Sequence, residues 1–195
     1  MGVDEERAYW DERSQVEDPV FEMMAEKDHG TYTAEHVERL QKALDISDGD
    51  VVLELGCGVG RLISRLADNN QDADFIGVDI SSELVALAPV MDNVTYLVND
   101  GRFLPEVEFN KAYSMVVLQH IDKAAVVEYV TQIADSLPEG GIFYFQFING
   151  EGDSFLNRHF SIEEMISVCF DAGLKVVNSD SDNYSEDWVW FRCEK

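Results

Sequence analysis

Basic residues are scarce in this sequence. The chain has 14 lysines and arginines against 39 aspartates and glutamates, which gives a formal net charge of -25. Proteins bind nucleic acids through basic surfaces that neutralise phosphates, and the sequence shows no stripe of basic residues. We therefore expect no nucleic acid as a partner. In molar salt this argument weakens, because screening also removes the attraction to phosphate.

Long apolar runs and paired cysteines are also lacking. No stretch approaches the roughly 20 apolar residues that a membrane span needs, and the beginning, MGVDEERAYWDERSQ, is too charged for a signal peptide. The three cysteines are scattered and odd in number, which indicates free thiols in a reducing compartment. We expect a cytoplasmic protein without membrane contact. His29, His36 and His159 lack the spacing of metal ligands, so we expect no metal.

The hydrophobic content, by contrast, is ordinary. Hydrophobic residues make up 46% of the chain and fall in periodic blocks, which argues against disorder. With six lysines and a large acidic excess, the composition is similar to that of proteins from extreme halophiles. We expect a folded domain with an acidic shell that repels itself unless salt screens it.

Strand-like and helix-like segments alternate from residue 51 onward. Most of the strand candidates are apolar throughout, as expected of strands buried on both faces of a parallel sheet. They lie at 51–55, 75–78, 94–98, 113–118, 142–148, 174–178 and 187–193. Helices are predicted at 60–69, 82–90, 123–136 and 161–173, with one or two more within 17–45.

This alternation predicts an α/β fold: a doubly wound, Rossmann-like sheet of seven strands, mostly parallel, with helices on both faces. The segment NSDSDNYSED between the last two strands is too short for a crossover helix, so the last strand should return antiparallel. Helix caps are predicted at Ser81 and in the capping box of Ser161 and Glu164. We predict a single domain over 1–195, with a helical lid or flank at 1–46 and the core at 47–195.

Three alternate glycines, Gly56, Gly58 and Gly60, follow the first predicted strand in VVLELGCGVGRL. The exit loop of that strand is the usual ligand cradle of such a sheet, where glycine lets a ligand approach the main chain. The dinucleotide-binding pattern G-x-G-x-x-G fits imperfectly, because the third glycine comes one residue early. Glu54, inside this apolar strand, is costly to bury unless it is hydrogen-bonded.

Six segments in register resemble the class I S-adenosylmethionine-dependent methyltransferases, over nearly the whole chain from about residue 48. ELGCGVGR, VDIS and VND are similar to the family's first motif, to the acid that ends its second strand and to its adenine-binding segment. SMVVLQHI, LPEGGIFYF and HFSIEEMISVCFDAGLKVV resemble later segments of the small-molecule branch. The resemblance implies S-adenosylmethionine as the cofactor and S-adenosylhomocysteine as its product.

The resemblance also implies which residues bind the cofactor. Asp79 would accept hydrogen bonds from both ribose hydroxyls, and the alternative is an acid at a helix N-terminus. Asp100 would accept from the adenine amine while the backbone from Gly101 reads the ring edge, and the alternative is a turn aspartate. The implied cofactor-binding set is Glu54, Gly56, Cys57, Gly58, Gly60, Asp79, Ile80, Asp100, Gly101 and Gln119.

Four members of this set concern the methionine portion of the cofactor and its loop. Glu54 is implied to place that portion, directly or through the loop. Gln119 is a candidate backbone contact to the amino group, and the loop at Gly56 is another. Cys57 is predicted to be a small loop residue rather than a nucleophile, because no partnered base is recognisable.

Methyl transfer needs little machinery, because the sulfonium methyl is already an electrophile and the protein mainly aligns the acceptor. His120 is the candidate general base, with local packing as its alternative. Tyr9 and Trp10 resemble the aromatic N-terminal segment that closes over the cofactor in many of these enzymes, and core packing is the alternative.

The acceptor is predicted to be a small molecule that receives the methyl group by direct in-line displacement. Enzymes that methylate base amines usually carry a [DN]-P-P-[FYW] clamp where this chain has LQHI. The loop NGEGDSFLNRH at 149–159 offers side chains for a polar acceptor. The open alternatives are a non-catalytic S-adenosylmethionine-binding protein, a protein or RNA methyltransferase, and an NAD-dependent oxidoreductase, which would not explain Asp100. The sequence does not predict the oligomeric state.

Overall fold

The computed structural model describes residues 2–16, 29–154 and 157–195. The part of the predicted N-terminal helices at 17–28 and residues 155–156 of the 149–159 loop lie outside these residues. The chain folds as two compact units, Met1–Gly101 and Arg102–Lys195.

The first unit contains three parallel strands and the helices that follow or flank them. β1 pairs with β2 and β2 pairs with β3, so the strands lie in the order β3-β2-β1. Its elements are α1 (Val3–Arg13), α2 (His29–Leu44), β1 (Val51–Leu55), α3 (Ile63–Asn69), β2 (Asp74–Asp79), α4 (Ser82–Val85) and β3 (Val94–Val98).

The second unit contains four strands and two helices. β4 and β5 are parallel, whereas β7 runs antiparallel to both β5 and β6. Its elements are β4 (Lys111–Ser114), α5 (Lys123–Ser136), β5 (Ile142–Ile148), α6 (Ile162–Asp171), β6 (Lys175–Ser181) and β7 (Trp188–Glu194). The strands of the chain belong to one seven-stranded mixed sheet, which confirms the predicted fold class, including its antiparallel last strand.

Each unit buries its own apolar side chains. In the first unit, Leu40 and Leu44 of α2 and Phe75 of β2 are buried. The core of the second unit is aromatic: Tyr144 stacks on Trp190 with ring centroids 4.7 Å apart. All seven residues of β5 are buried, as expected of a central strand covered on both faces.

The predicted helix caps are present. The Ser81 hydroxyl accepts from the Leu84 amide, so it caps α4. Ser161 and Glu164 form both hydrogen bonds of a capping box at the start of α6. These side chains satisfy amide groups that a helix N-terminus leaves without partners.

Several predicted elements are shorter in the structure, among them the helix predicted at 60–69, which begins at Ile63. The helix expected at 82–90 ends at Val85, because Pro89 lacks an amide donor and restricts the residue before it. The strand expected at 113–118 is Lys111–Ser114, and Val116 beyond it has a φ of 58°. A β-branched residue in this left-handed conformation cannot continue a strand.

Candidate cofactor site

The glycine loop between β1 and α3 has a backbone that requires glycine. Gly56, Gly58 and Gly60 have φ values of 78°, 52° and 73°, in the left-handed region that other residues avoid. The loop folds back onto β2, where the Gly56 amide donates to the Val78 carbonyl at 2.7 Å. The alternate glycines therefore build a tight main-chain cradle at the end of β1.

Asp79 fastens this loop to the end of β2. Its Oδ2 accepts from the Gly58 amide at 2.7 Å, and its Oδ1 accepts from the Ser81 amide at 2.9 Å. The side chain is buried, and desolvation is the main reason why its pKa is raised, although the amide hydrogen bonds from Ser81 and Gly58 lower it. Each carboxylate oxygen can accept a second hydrogen bond, so the geometry fits two ligand hydroxyls.

The ends of β2 and β3 are joined by α1. The Arg7 guanidinium donates from Nε to the Ile80 carbonyl at 3.4 Å and from Nη2 to the Asp100 carbonyl at 3.2 Å. In addition, the Ser81 hydroxyl donates to Asp11 Oδ1 at 2.6 Å. The two loops that the sequence predicts to bind the cofactor thus share one arginine that motif reasoning missed.

Gly101 lies in a space that excludes any side chain. Its φ is 87°, and a methyl group built on it would lie 2.7 Å from both Ile80 Cδ1 and Val3 Cγ1. The side chain of the preceding Asp100 is exposed. The glycine therefore makes room for the side chains of Ile80 and Val3, and the adenine-binding roles of Asp100 and Gly101 stay predictions.

Cys57 lies within the glycine loop, between Gly56 and Gly58, and is buried. Burial raises its pKa well above the ordinary thiol value, and the nearby carboxylates of Glu54 and Asp79 raise it further. A thiol kept protonated is a poor nucleophile. Its surroundings therefore suit the small loop residue that the sequence analysis predicts.

The remaining predicted residues lie in both units. Glu54 is buried on β1. In the second unit, Gln119 is 3% exposed, and its main-chain carbonyl accepts from the Arg158 amide at 2.6 Å. Within the described residues, its side-chain Oε1 is buried without a hydrogen-bond partner. The amide of His120 donates to the Val117 carbonyl at 2.8 Å, so His120 belongs to the turn that follows β4.

Across 2–16, 29–154 and 157–195, no group of three or more histidine, cysteine or acidic side chains is placed to hold a metal ion. In the same part of the chain, no helix has the length and apolar character needed to cross a membrane.

Residues 52–141 match the protein family described as a methyltransferase domain. An uncharacterized protein of Methanocaldococcus jannaschii is 34% identical over 116 residues, which are 58% of this chain and 43% of that protein. A tRNA (guanine-N(7)-)-methyltransferase of Acetivibrio thermocellus is 52% identical over 42 residues, or 22% of this chain and 19% of the enzyme. The chain therefore spans less than half the length of these relatives.

Solved structures share the fold over nearly the whole chain. One is a complex between the Haloferax volcanii Trm112 methyltransferase activator and a putative methyltransferase, with a TM-score of 0.72, 23% identity, and coverage of 99% of this chain and 96% of that chain. Another is the DhpI complex with S-adenosylhomocysteine, with a TM-score of 0.73, 18% identity, and coverage of 98% and 96%. At these identities the likeness shows the fold alone. The family match over residues 52–141 and the shared fold agree with the resemblance to the class I methyltransferases, and a methyltransferase of this fold has been solved with S-adenosylhomocysteine and with S-adenosylmethionine bound.

Proposed function

We propose that this protein is an S-adenosylmethionine-dependent methyltransferase that transfers a methyl group to a small-molecule acceptor. The observation that carries the proposal is Asp79, a buried carboxylate at the end of β2 that holds the glycine loop through the Gly58 amide. Its oxygens keep acceptor capacity for the two ribose hydroxyls. The cradle at Gly56, Gly58 and Gly60 would take the methionine portion.

The chain's own groups divide the binding task. Asp79 holds the ribose, Ile80 and Gly101 border the adenine, and Asp100 accepts from the adenine amine. Glu54 and the loop at Gly56 place the methionine portion, with Gln119 as a further contact to its amino group. Arg7 fixes the Ile80 and Asp100 carbonyls through one guanidinium, so it keeps the adenosine-binding loops in register.

When bound, S-adenosylmethionine supplies an electrophilic methyl group, so the protein's main task is alignment. Asp79, Asp100 and the loop at Gly56 would hold the cofactor, which would supply its methyl group for in-line displacement by the acceptor, with the electron pair of the broken carbon–sulfur bond left on sulfur. His120 is positioned on the turn after β4 and is the candidate to take the acceptor's proton. A cytoplasmic location remains part of this proposal.

A small acceptor is favoured over RNA by charge. The net charge of -25 repels phosphates, and an RNA-binding surface would need a basic stripe, which the sequence does not show. The tRNA methyltransferases match only short stretches, 42 residues in the Acetivibrio thermocellus enzyme. A match of this length does not extend the tRNA substrate of that enzyme to this chain.

Calorimetric titration tests the proposal. The protein is titrated in about 2 M KCl, which screens its charge, with S-adenosylhomocysteine and separately with NADH. Binding of S-adenosylhomocysteine alone supports the methyltransferase, and NADH binding alone overturns it in favour of an oxidoreductase. Methyl transfer from labelled S-adenosylmethionine to a set of small acceptors then separates an enzyme from a protein that only binds the cofactor.

A second candidate is a methyltransferase that works with an activator subunit, as in the Haloferax volcanii complex. β3 ends the strand order and reads VTYLV, without a charged residue to protect its edge. Val98, its last residue, is 48% exposed, and Leu87 and Val90, which precede the strand, are 52% and 101% exposed. An apolar open edge of this kind suits a partner that adds a strand.

Co-expression with the Haloferax volcanii activator tests this candidate. Capture in about 2 M KCl should retain the activator with the unaltered chain and lose it with Val98→Lys. Val127→Lys, at a side chain that is 41% exposed on α5, is the matched control and should retain it. Failure of the unaltered chain to capture the activator argues against this candidate and leaves the first proposal unchanged.

A further inference from the structure

A glycine and a tyrosine share one row of the sheet beneath the cofactor loop. In the strand register Glu54 of β1 pairs with Gly77 of β2, and Gly77 pairs with Tyr96 of β3. Residues paired in a parallel sheet direct their side chains to the same face. Because Gly77 has no side chain, the space between Glu54 and Tyr96 is left for neighbouring groups.

Tyr96 and Cys57 fill that space. A methyl group built on Gly77 would lie 2.9 Å from both Tyr96 Cδ1 and Cys57 Sγ. A methyl group built on Gly60 would lie 2.5 Å from the Tyr96 hydroxyl oxygen and 3.1 Å from its Cε1 and Cζ. The tyrosine ring therefore reaches across the glycine gap of β2, and its hydroxyl lies directly against the last glycine of the loop.

The hydroxyl itself has no evident structural use. It is buried and makes no hydrogen bond within the part of the chain that the structure describes. Burial raises the pKa of Tyr96, with further contributions from Cys57 and Glu54, so the group stays a neutral donor. A buried hydroxyl without a partner is unfavourable, and phenylalanine would fill the same space without that cost.

We propose that Tyr96 is a positioning residue of the cofactor site, which rests on the proposed function. Its ring supports the glycine loop from below through the gap at Gly77. Its hydroxyl donates to a main-chain carbonyl of residues 56–60 when the methionine portion of the cofactor orders the loop. Tyr96 thus acts on the cofactor through the loop rather than by touching it.

Tyr96→Phe separates this role from simple packing. Affinity for S-adenosylhomocysteine should fall about five- to tenfold, the size of one net hydrogen bond. Affinity for methylthioadenosine, which lacks the amino-acid portion, should not change. The melting temperature without ligand should stay the same or rise, because the variant removes an unsatisfied buried hydroxyl.

The outcomes are distinct. Equal losses for both ligands would reduce Tyr96 to a general packing role, and unchanged S-adenosylhomocysteine affinity would remove the hydroxyl's role; both overturn the inference. If the unaltered protein binds neither ligand, the proposed function itself fails. Tyr129→Phe, at a buried tyrosine on α5, is the matched control and should leave both affinities unchanged.

A double-mutant cycle tests the contact with Gly60 independently of the ligand. Gly60→Ala is strained by its backbone angle in any background, and it also meets the Tyr96 hydroxyl oxygen. The loss of melting temperature from Gly60→Ala should therefore be smaller when Tyr96→Phe is present. Strictly additive losses would show that the two residues do not interact and would overturn the placement of the hydroxyl.

Discussion

Asp79 in the first unit and Asp182 in the second are both buried carboxylates, with 8% and 6% exposure, yet they are held differently. Asp79 accepts from main-chain amides. Asp182 Oδ2 accepts from two side chains, Gln146 Nε2 and Trp190 Nε1, both at 2.9 Å. The first carboxylate fixes a loop and keeps capacity for a ligand, and the second joins side chains of β5 and β7.

Asp182→Ala should have the largest effect, and this effect should be on stability alone. It leaves the buried donors of Gln146 and Trp190 without an acceptor, so the free energy of unfolding should drop by about 3 kcal/mol. Urea unfolding in high salt measures the loss. Asp180→Ala, at an exposed residue of β6, is the control. A folded Asp182 variant with weakened S-adenosylhomocysteine binding would erase the contrast between the two carboxylates.

Asp79→Ala should instead weaken ligand binding. It removes the ribose acceptor and releases the Gly58 amide, so the free energy of S-adenosylhomocysteine binding should weaken by about 1–3 kcal/mol. Calorimetry measures the change, with Asp74→Ala at the exposed start of β2 as the matched control. Unaltered affinity in a folded variant would show that Asp79 does not bind the ribose hydroxyls.

Two loops that follow strands form left-handed backbone in different ways. The loop after β1 uses Gly56, Gly58 and Gly60, whereas the turn after β4 places the β-branched Val116 at a φ of 58°. Val116→Gly should relieve this strain and stabilise the fold by about 1 kcal/mol, as measured by urea unfolding. Val117→Gly, at a residue without positive φ, should destabilise it. A loss of stability in Val116→Gly would show that packing of the valine outweighs its strain.

The smallest expected effect is a pH dependence of cofactor binding that arises from Asp79. Its folded-state pKa is raised, mainly by desolvation, so its contribution to folding stability is greatest in acid and is lost as pH rises through that raised value. Ribose hydroxyls favour the ionised form, so S-adenosylhomocysteine affinity should fall as pH drops through the same range. Calorimetry at several pH values measures it, and Asp79→Asn should flatten this dependence.

The backbone of the glycine loop was predictable because its residues are close in sequence and its geometry lies in the main chain. Alternate glycines predict positive φ angles, and the position of Asp79 at the end of β2 was predicted from its spacing to the glycine motif. The interior glycine of β2, Gly77, could have indicated a close approach, but not that Tyr96 makes it. Nothing in the polar sequence of α1 indicated that Arg7 bridges two distant loops.

The predicted and observed lengths of helices and strands differ for local reasons that the periodicity of apolar residues does not reveal. Pro89 shortens the α4 segment, and the left-handed Val116 ends β4 after Ser114. The last strands were predicted in their antiparallel order because a ten-residue connection cannot hold a crossover helix. The role of Asp182 was not predicted, because it accepts hydrogen bonds from Gln146 on β5 and Trp190 on β7, and strand pairing brings these side chains together.

The sequence by itself determined the α/β alternation, the antiparallel last strand, and the glycine loop with Asp79, since each depends on residue type and short spacing. The tertiary structure alone decided the contacts of Arg7, Tyr96 and Asp182. Those contacts join residues that are far apart along the chain, and strand register and side-chain packing, rather than local sequence, bring their atoms together.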